Sequence, residues 1–351
     1  MIGRILASAA LALALVACGG DDSAGLAPPT GGGGNGGTPT PSPSPTSSPS
    51  PTPSPSPTPT YSTIAQLTGS QQFDTTCVYT FYNPRVSPDF SVSQEFPFGD
   101  RGQLRFDPAA NSWSYVETQQ YNPSQSDVFT FGPDNLVASP PENITLYRRS
   151  EAGRTFELSL FGARQSSFTA EYLRTFNFAE IESNSERSDR ICGYGVPTVA
   201  ADMLPATSTT YASLSVVGTA TVVSGGRRKE VYSLRDSTGT FSVNGQAGTV
   251  SMSVQLVGRE ILPDGSQATV TTKLPLLVST VGTITDARTP AIKTFKGEFS
   301  TDGIELLPKF FSGAFFGPQG REAAFTFRTS PSKPFPDSGT IEIVGVVVVQ
   351  R

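Results

Sequence analysis

The sequence predicts a mainly β protein: a C-terminal closed antiparallel barrel of about eight strands, preceded by an irregular β-rich or α+β domain. Three observations predict it. Across residues 248–259, Val250, Met252, Val254 and Leu256 alternate with Thr249, Ser251, Ser253 and Gln255, and a period of two is what a half-buried strand needs. Turn signals at Gly225-Gly226, Ser237-Thr238-Gly239, Asn244-Gly245, Pro263-Asp264-Gly265 and Asp302-Gly303 punctuate β-branched runs, giving roughly eight strands in about 150 residues. Residues 340–349 end in a valine run that would aggregate as an open edge; closing a barrel pairs it on both sides.

The N-terminus reads as an address. Residues 1–17 carry one cation, Arg4, ahead of an apolar run about as long as a signal-peptide core and too short to span a bilayer. The run ends Leu15-Val16-Ala17-Cys18-Gly19, which resembles the lipobox of bacterial lipoproteins. The resemblance makes Cys18 an acylated anchor, and several acyl chains hold a protein on a membrane where one chain does not. Gly19, rather than Asp, after the cysteine implies passage to the outer membrane. Residues 18–60 are Gly-rich and then Pro/Ser/Thr-rich, and twelve of the 30 prolines lie between Pro28 and Pro59. Such sequence packs no core and extends toward polyproline II, reaching on the order of 70 Å at ~3.1 Å per residue over residues 38–60. A disordered stalk is expected.

The rest divides at a charge shift. Residues 61–200 hold 10 Arg, no Lys and 16 Asp+Glu, whereas residues 201–351 hold 14 Lys+Arg and 12 Asp+Glu. The shift falls near Gly193-Tyr194-Gly195-Val196-Pro197 and Pro205, which places the expected domains at residues 61–202 and 203–351. In the first, Phe-rich fragments at residues 77–82, 102–106, 112–116, 128–131 and 155–161 read as short strands between prolines, and residues 167–178 read as one or two helical turns. Phe131-Gly132-Pro133 echoes Phe316-Gly317-Pro318, so a repeat of the barrel stays open beside an unrelated domain.

The chain has no His, which removes Ser-His-Asp and Cys-His nucleophile activation, HExxH zinc sites and His-ligated haem. Catalysis would have to run on carboxylates, Lys or Tyr. A net charge of −5 points away from nucleic acid. Cys77 and Cys192 are the thiols left after lipidation of Cys18. In an exported protein they are expected to form a disulfide, closing a loop of about 115 residues and contributing about 2–5 kcal/mol. The carboxylates are scattered, with no calcium-loop spacing, so no catalytic, metal or cofactor residue is assigned. Arg227-Arg228-Lys229 follows a Gly-Gly turn and reads as a solvated cationic loop, or as a contact for an acidic partner.

Residues 310–327, FFSGAFFGPQGREAAFTF, carry the most information. A strand runs into a Gly317-Pro318 turn and returns through Glu322 to Phe327. This hairpin resembles that of the transferrin-binding protein B-type β-barrel domain, on Gly313, Phe315, Phe316, Gly317, Pro318, Glu322, Ala323, Ala324 and Phe325. Tyr232-Ser233-Leu234, Thr240-Phe241-Ser242-Val243 and Phe295-Lys296-Gly297-Glu298-Phe299 lie upstream in a family-like order, so the resemblance covers residues 211–351. It departs where Ala323-Ala324 stand for a double Gly and Gln319-Gly320 for Asn-Ala.

The resemblance implies a barrel preceded by a handle-like domain, with the hairpin structural rather than ligand-binding. It implies a lipid-anchored envelope receptor, possessing no cofactor, that acquires iron or metal from a host iron protein, haem or a chelate. An outer-membrane transporter and a translocator are the implied partners, and the cell-surface and periplasmic faces both stay open. Recognition is expected in loops, aided by exposed aromatics at Phe96, Phe98 and Tyr121. An adhesion or structural lipoprotein without a solute, and a carboxylate-based hydrolase, are the alternatives. A membrane-spanning barrel is the competing use of eight alternating strands, made redundant by anchor and stalk.

Overall fold

The computed structural model describes residues 60–83, 90–119, 122, 124–140, 143–164, 168–183, 186–224, 227–262, 266–287, 291–300, 308–330 and 340–351. Cys18, the signal segment, nearly all of the stalk and Tyr121 lie outside these residues. Two antiparallel sheets account for the fold. The first holds β1 (Gln71–Asn83), β2 (Phe90–Phe96), β3 (Gly102–Asp107), β4 (Ser112–Thr118), β5 (Ser126–Phe131), β6 (Ile144–Glu151), β7 (Arg154–Phe161), β8 (Leu173–Glu182) and β9 (Arg187–Gly195). Its order is β5-β4-β3-β1-β9-β8-β7-β6. Strand β1 is shared, pairing β3 along its first half and β2 along its second. Beyond β5, Leu136 bridges Tyr147 of β6 and the Val137 N–H donates to the Leu146 carbonyl at 2.9 Å. The eight-strand path is thereby nearly closed, which covers the edges an open sheet would leave.

The second sheet holds β10 (Thr209–Tyr211), β11 (Ser213–Ser224), β12 (Arg227–Ser233), β13 (Thr238–Asn244), β14 (Thr249–Ile261), β15 (Gln267–Ala287), β16 (Ile292–Glu298), β17 (Phe310–Phe316), β18 (Glu322–Thr329) and β19 (Thr340–Gln350). Strands β12 and β13 run end to end along β14, and β10 and β11 run end to end along them. Each later strand pairs with its successor. The last, β19, returns to β11 in a ladder from Ser213↔Gln350 to Val223↔Thr340. The result is a closed up-and-down barrel of eight strand positions. Its interior is filled by Phe241, Phe295, Phe311, Phe315 and Phe325, with ring centroids 4.8–6.4 Å apart. Along β14 the alternate residues Thr249, Ser251, Ser253 and Gln255 point out of this core. Apolar inside and polar outside is the inverse of a membrane-spanning barrel.

Strand β19 explains the valine run. Ile341, Ile343, Val347 and Val349 enter the barrel core, while Val344, Val346 and Val348 enter a second cluster with Val78, Leu173 and Ile191 of the first sheet. A strand buried on both faces reads as a continuous apolar run. Each fully buried Val contributes about 1.5–3 kcal/mol.

Several expectations are corrected. No α-helix occurs among the described residues, so the α+β alternative is not realised, and much of residues 167–178 is loop and β8. Phe176 and Phe178 face the core of the first sheet while Leu173 faces the second sheet; burial on both faces blurs the period of two. Ser237-Thr238-Gly239 is no reversal but a jog between the collinear β12 and β13. Arg227 begins β12 rather than forming a loop, and the side chains of residues 227–229 lie outside the described set. The Phe-Gly-Pro echo has a structural counterpart: β5 and β17 each end in a buried Phe, and 3-10 turns follow at Pro133–Asn135 and Pro318–Gly320. Gly132 is extended, however, whereas Gly317 has φ +72°.

Candidate functional site

The alternation that builds the first sheet also builds a cup at one end of it. Residues one pleat apart on adjacent strands stack in layers inside a closed sheet. The register pairs Tyr79↔Arg190, Arg190↔Phe178, Phe156↔Glu180 and Arg149↔Phe156 set one such layer at the mouth. Strand β2 leaves the path of β3 at a turn through Pro97 and Gly99, where the Gly99 N–H donates to the Thr75 carbonyl at 2.7 Å. The open cavity is about 650 Å³, lined by Tyr79, Phe96, Phe129 and Phe156 and by Arg101, Arg149, Arg154 and Arg190 with Glu117, Asp127, Glu151 and Glu180. Its size falls within the range of small-molecule sites.

Three of the arginines lie over aromatic rings. The Arg101 guanidinium carbon is 4.7 Å from the centre of Phe96, that of Arg149 is 5.1 Å from Phe156 and 5.7 Å from Phe131, and that of Arg190 is 4.7 Å from Tyr79. Such stacks gain from the ring quadrupole, more so when partly desolvated. Arg190 is buried and donates to Glu117 at 2.9 Å. Burial alone would lower its pKa, but Glu117, with Tyr115 and Tyr79 behind it, more than reverses that, so it stays charged. Arg154 pairs with Glu180 at 3.0 Å, and Gln119 donates to both oxygens of Asp127 at 3.3 Å. Arg149 reaches Glu151 through Nη1 at 3.2 Å, while its buried Nε has no acceptor. Arg101 lies 3.9 Å from Asp100. The site thus presents a guanidinium-rich wall over aromatic rings, in which the buried Arg149 Nε lacks an acceptor.

One layer below, Cys77 and Cys192 are joined at 2.07 Å across the β1–β9 ladder, both fully buried. They stand two residues from Tyr79 and Arg190 on the same strands and the same face, which ties two walls of the cup together.

The hairpin residues serve elsewhere. A Cβ on Gly313 would lie 2.2 Å from the Ala324 carbonyl oxygen, and Phe315 and Phe325 fill the barrel. Phe316 and Ala324 face the first sheet, where Phe316 meets Phe98 edge-on at 5.6 Å. Pro318 opens the 3-10 turn after Gly317. Glu322 is wholly buried and accepts from the backbone N–H groups of Glu171 at 2.6 Å and Tyr172 at 2.9 Å, and from Gln350 Nε2 at 3.2 Å. Burial pushes its pKa up, and these donors oppose the shift. It fastens the second sheet to the segment entering β8.

Of the three aromatics expected to be exposed, Phe98 is buried between the sheets, because its neighbours there are apolar on both sides. Phe96 is also buried, covered by Arg101, although it lines the cup. Tyr121 lies outside the described residues. Sequence reasoning missed Arg101, Arg149, Arg190 and Glu117. Their signal was compositional: every cation in residues 61–200 is arginine, in the Phe-rich half of the chain. A second cavity, about 450 Å³, lies in the cleft between the sheets, with Arg187 and Asp189 on its wall satisfying each other at 2.7 Å.

The fold defines a mainly β body of two barrel-like sheets packed face to face. Among solved structures it is similar to a double mutant of transferrin binding protein B (TbpB) from Haemophilus parasuis, at TM-score 0.34 and 10% identity over 81% of this chain and 76% of that one. It is also similar to the haemoglobin receptor HpuA from Kingella denitrificans, at 0.33 and 12% over 80% and 86%. The same receptor in complex with human haemoglobin matches at 0.32 and 12% over 80% and 87%. The likeness is distant. No family model and no curated protein matches the chain.

Proposed function

We propose that this chain is a non-enzymatic, lipid-anchored envelope protein that binds a ligand, held off the outer membrane by the stalk of residues 18–60. The observation that carries the reading is the cup: an arginine- and aromatic-lined cavity in a disulfide-tied sheet. Its carboxylates support binding over catalysis, because Glu117, Glu151 and Glu180 pair with arginines and Asp127 with Gln119, leaving none as a free acid or base. The hairpin on Gly313, Phe315, Phe316, Gly317, Pro318, Glu322 and Phe325 favours iron acquisition as the purpose, with an iron-carrier protein, haem or a metal chelate as the ligand. An outer-membrane transporter and a translocator are the partners that go with that purpose.

The test has two arms. Mass spectrometry of the protein expressed in a Gram-negative host should find Cys18 acylated and Cys18→Ala not processed. The immobilised full chain should retain at least one of transferrin, haemoglobin, haemin or a ferric chelate with a Kd below about 10 μM, roughly −7 kcal/mol. An unmodified Cys18 overturns the anchor. Retention of none of the four overturns iron acquisition and leaves adhesion as the reading.

A further inference from the structure

The join that nearly closes the first sheet is short, and beyond it two strand edges stay open. The Val137 N–H donates to the Leu146 carbonyl, so Leu146 turns its backbone groups away from β7. Along an antiparallel ladder this direction repeats every second residue, and Arg148 and Ser150 therefore turn theirs the same way. On β5 the Gln119 N–H donates to the Gln125 carbonyl at 3.0 Å. That makes Glu117↔Asp127 and Tyr115↔Phe129 the hydrogen-bonded pairs of the β4–β5 ladder and turns the N–H and C=O groups of Val128 and Thr130 away from β4. Val128, Thr130, Arg148 and Ser150 are all exposed, and among the described residues no strand pairs with these stretches of edge.

The two edges differ in how they are guarded. Strand β6 carries Arg148, Arg149 and Glu151, and charge along an edge discourages strand pairing. Strand β5 reads SDVFTF, with no Lys, Arg, Pro or bulge, and its one charge, Asp127, is engaged by Gln119. Val128 is 56% exposed, one of six large hydrophobic residues exposed among those described. A row of N–H and C=O groups repeating every second residue, about 6.8 Å apart, is matched by another extended backbone and by no compact ligand. Val128 adds an apolar cross-strand contact for a β-branched residue placed opposite it. Strand β6 flanks this edge, with the Arg149 guanidinium carbon 5.7 Å from the Phe131 ring, so one extended segment reaches it where the edge of a second folded sheet does not.

We propose that the exposed edge of β5 is a strand-addition site for an extended, β-branched segment of a partner polypeptide, hydrogen-bonded to the backbone of Val128 and Thr130. The site adjoins the cup but uses main-chain groups rather than its arginines. This rests on the reading of the chain as a binding protein and names the form in which a partner engages it. Failure of the assay below leaves Cys18 acylation and capture of iron carriers as separate results.

The experiment is fluorescence anisotropy of a dye-labelled peptide, Lys-Thr-Val-Thr-Val-Thr-Val-Lys, titrated with the full chain, beside the same peptide N-methylated at its central residues. The first is expected to bind with a Kd below about 100 μM, and the second more weakly by about tenfold or more, because it lacks the N–H groups a ladder needs. Val128→Pro removes an N–H that faces away from β4 and so spares the β4–β5 ladder; it should weaken the peptide about tenfold, and Val128→Lys, which puts a charge on the edge, should do the same. Val270→Lys, at an exposed valine of β15, should leave binding unchanged. With peptide at about ten times Kd, amide exchange at Val128 and Thr130 should slow about tenfold, while Phe129, already bonded to β4, keeps its rate. Thermal midpoints of the variants confirm that they fold. The proposal is overturned if the peptide fails to bind at about 1 mM, if its N-methylated form matches it, if folded Val128→Pro and Val128→Lys both bind as tightly as the parent, or if the two amides gain no protection. Sedimentation showing a dimer that Val128→Pro dissociates also overturns it, since the occupant is then a second copy of this chain.

Discussion

Replacing both Cys77 and Cys192 with Ala should cost the fold several kcal/mol and leave the cup in place. The bond joins residues 115 apart in sequence, and the loop-closure expression for that length gives an entropy near −16 cal/mol/K, or about 4.8 kcal/mol at 25 °C. Measured losses generally fall short of that bound, so about 2–5 kcal/mol is expected. Against a total of 5–15 kcal/mol for a typical domain, that is a large fraction. The β1–β9 ladder, by contrast, runs from Thr75↔Tyr194 to Tyr82↔Arg187 and holds Tyr79 beside Arg190 without the sulfurs. Urea unfolding of the oxidised parent and of the double variant measures the difference, and the variant should show a lower midpoint and a steeper dependence as its unfolded chain expands. A loss below about 1 kcal/mol would refute the reasoning, because the denatured chain would then gain nothing from being released.

Three further outcomes are expected. Glu322→Ala orphans the Glu171 and Tyr172 N–H groups and should destabilise by about 2–5 kcal/mol, with Glu322→Gln milder because it keeps one acceptor; thermal melts compare them, and an Ala variant within 1 kcal/mol of the parent removes Glu322 as a fastener. Burial pushes the Glu95 carboxyl up to about 8, against the pull of Arg328, and one of its oxygens has no partner. The folded state therefore favours its protonated form: its contribution is full below pH ~4.5 and fades as pH rises through about 8. Denaturation midpoints should fall over that window, the fall should be smaller in Glu95→Gln, and identical slopes would contradict the assignment. Gly317→Ala places a Cβ 2.5 Å from the Tyr172 ring at φ +72°, which should lower stability by about 2–4 kcal/mol, read by calorimetry as a lower Tm.

Much of the architecture was legible because one face of most strands is wet. Residues 248–259 announce β14 by alternation, and the Phe-rich fragments at 77–82, 102–106, 112–116, 128–131 and 155–161 all fall inside strands of the first sheet. Legibility failed where both faces are dry. Leu173, Phe176 and Phe178 serve two cores at once, so β8 lost its period, and Phe98 looked exposed because nothing local marks the opposing Phe316. The cup was hidden for a different reason. Its residues come from β1, β2 and β4 to β9, and only the register of the closed path brings Arg149 of β6 and Arg190 of β9 to one level. The Glu of the hairpin motif was legible as part of a motif, but its partners, 150 and 151 residues away, were not.

The two-faced β19 also orders events in time. Every other strand of both sheets precedes it, and its ladder with β11 spans more than a hundred residues of chain. Neither the cylinder nor the seam against its neighbour has a finished surface until that strand arrives. Folding with contacts so remote is slow, and the cylinder and the seam are completed together. A chain truncated before residue 340 would strand two wet-intolerant faces at once, leaving both sheets open to proteolysis rather than merely shortening one of them.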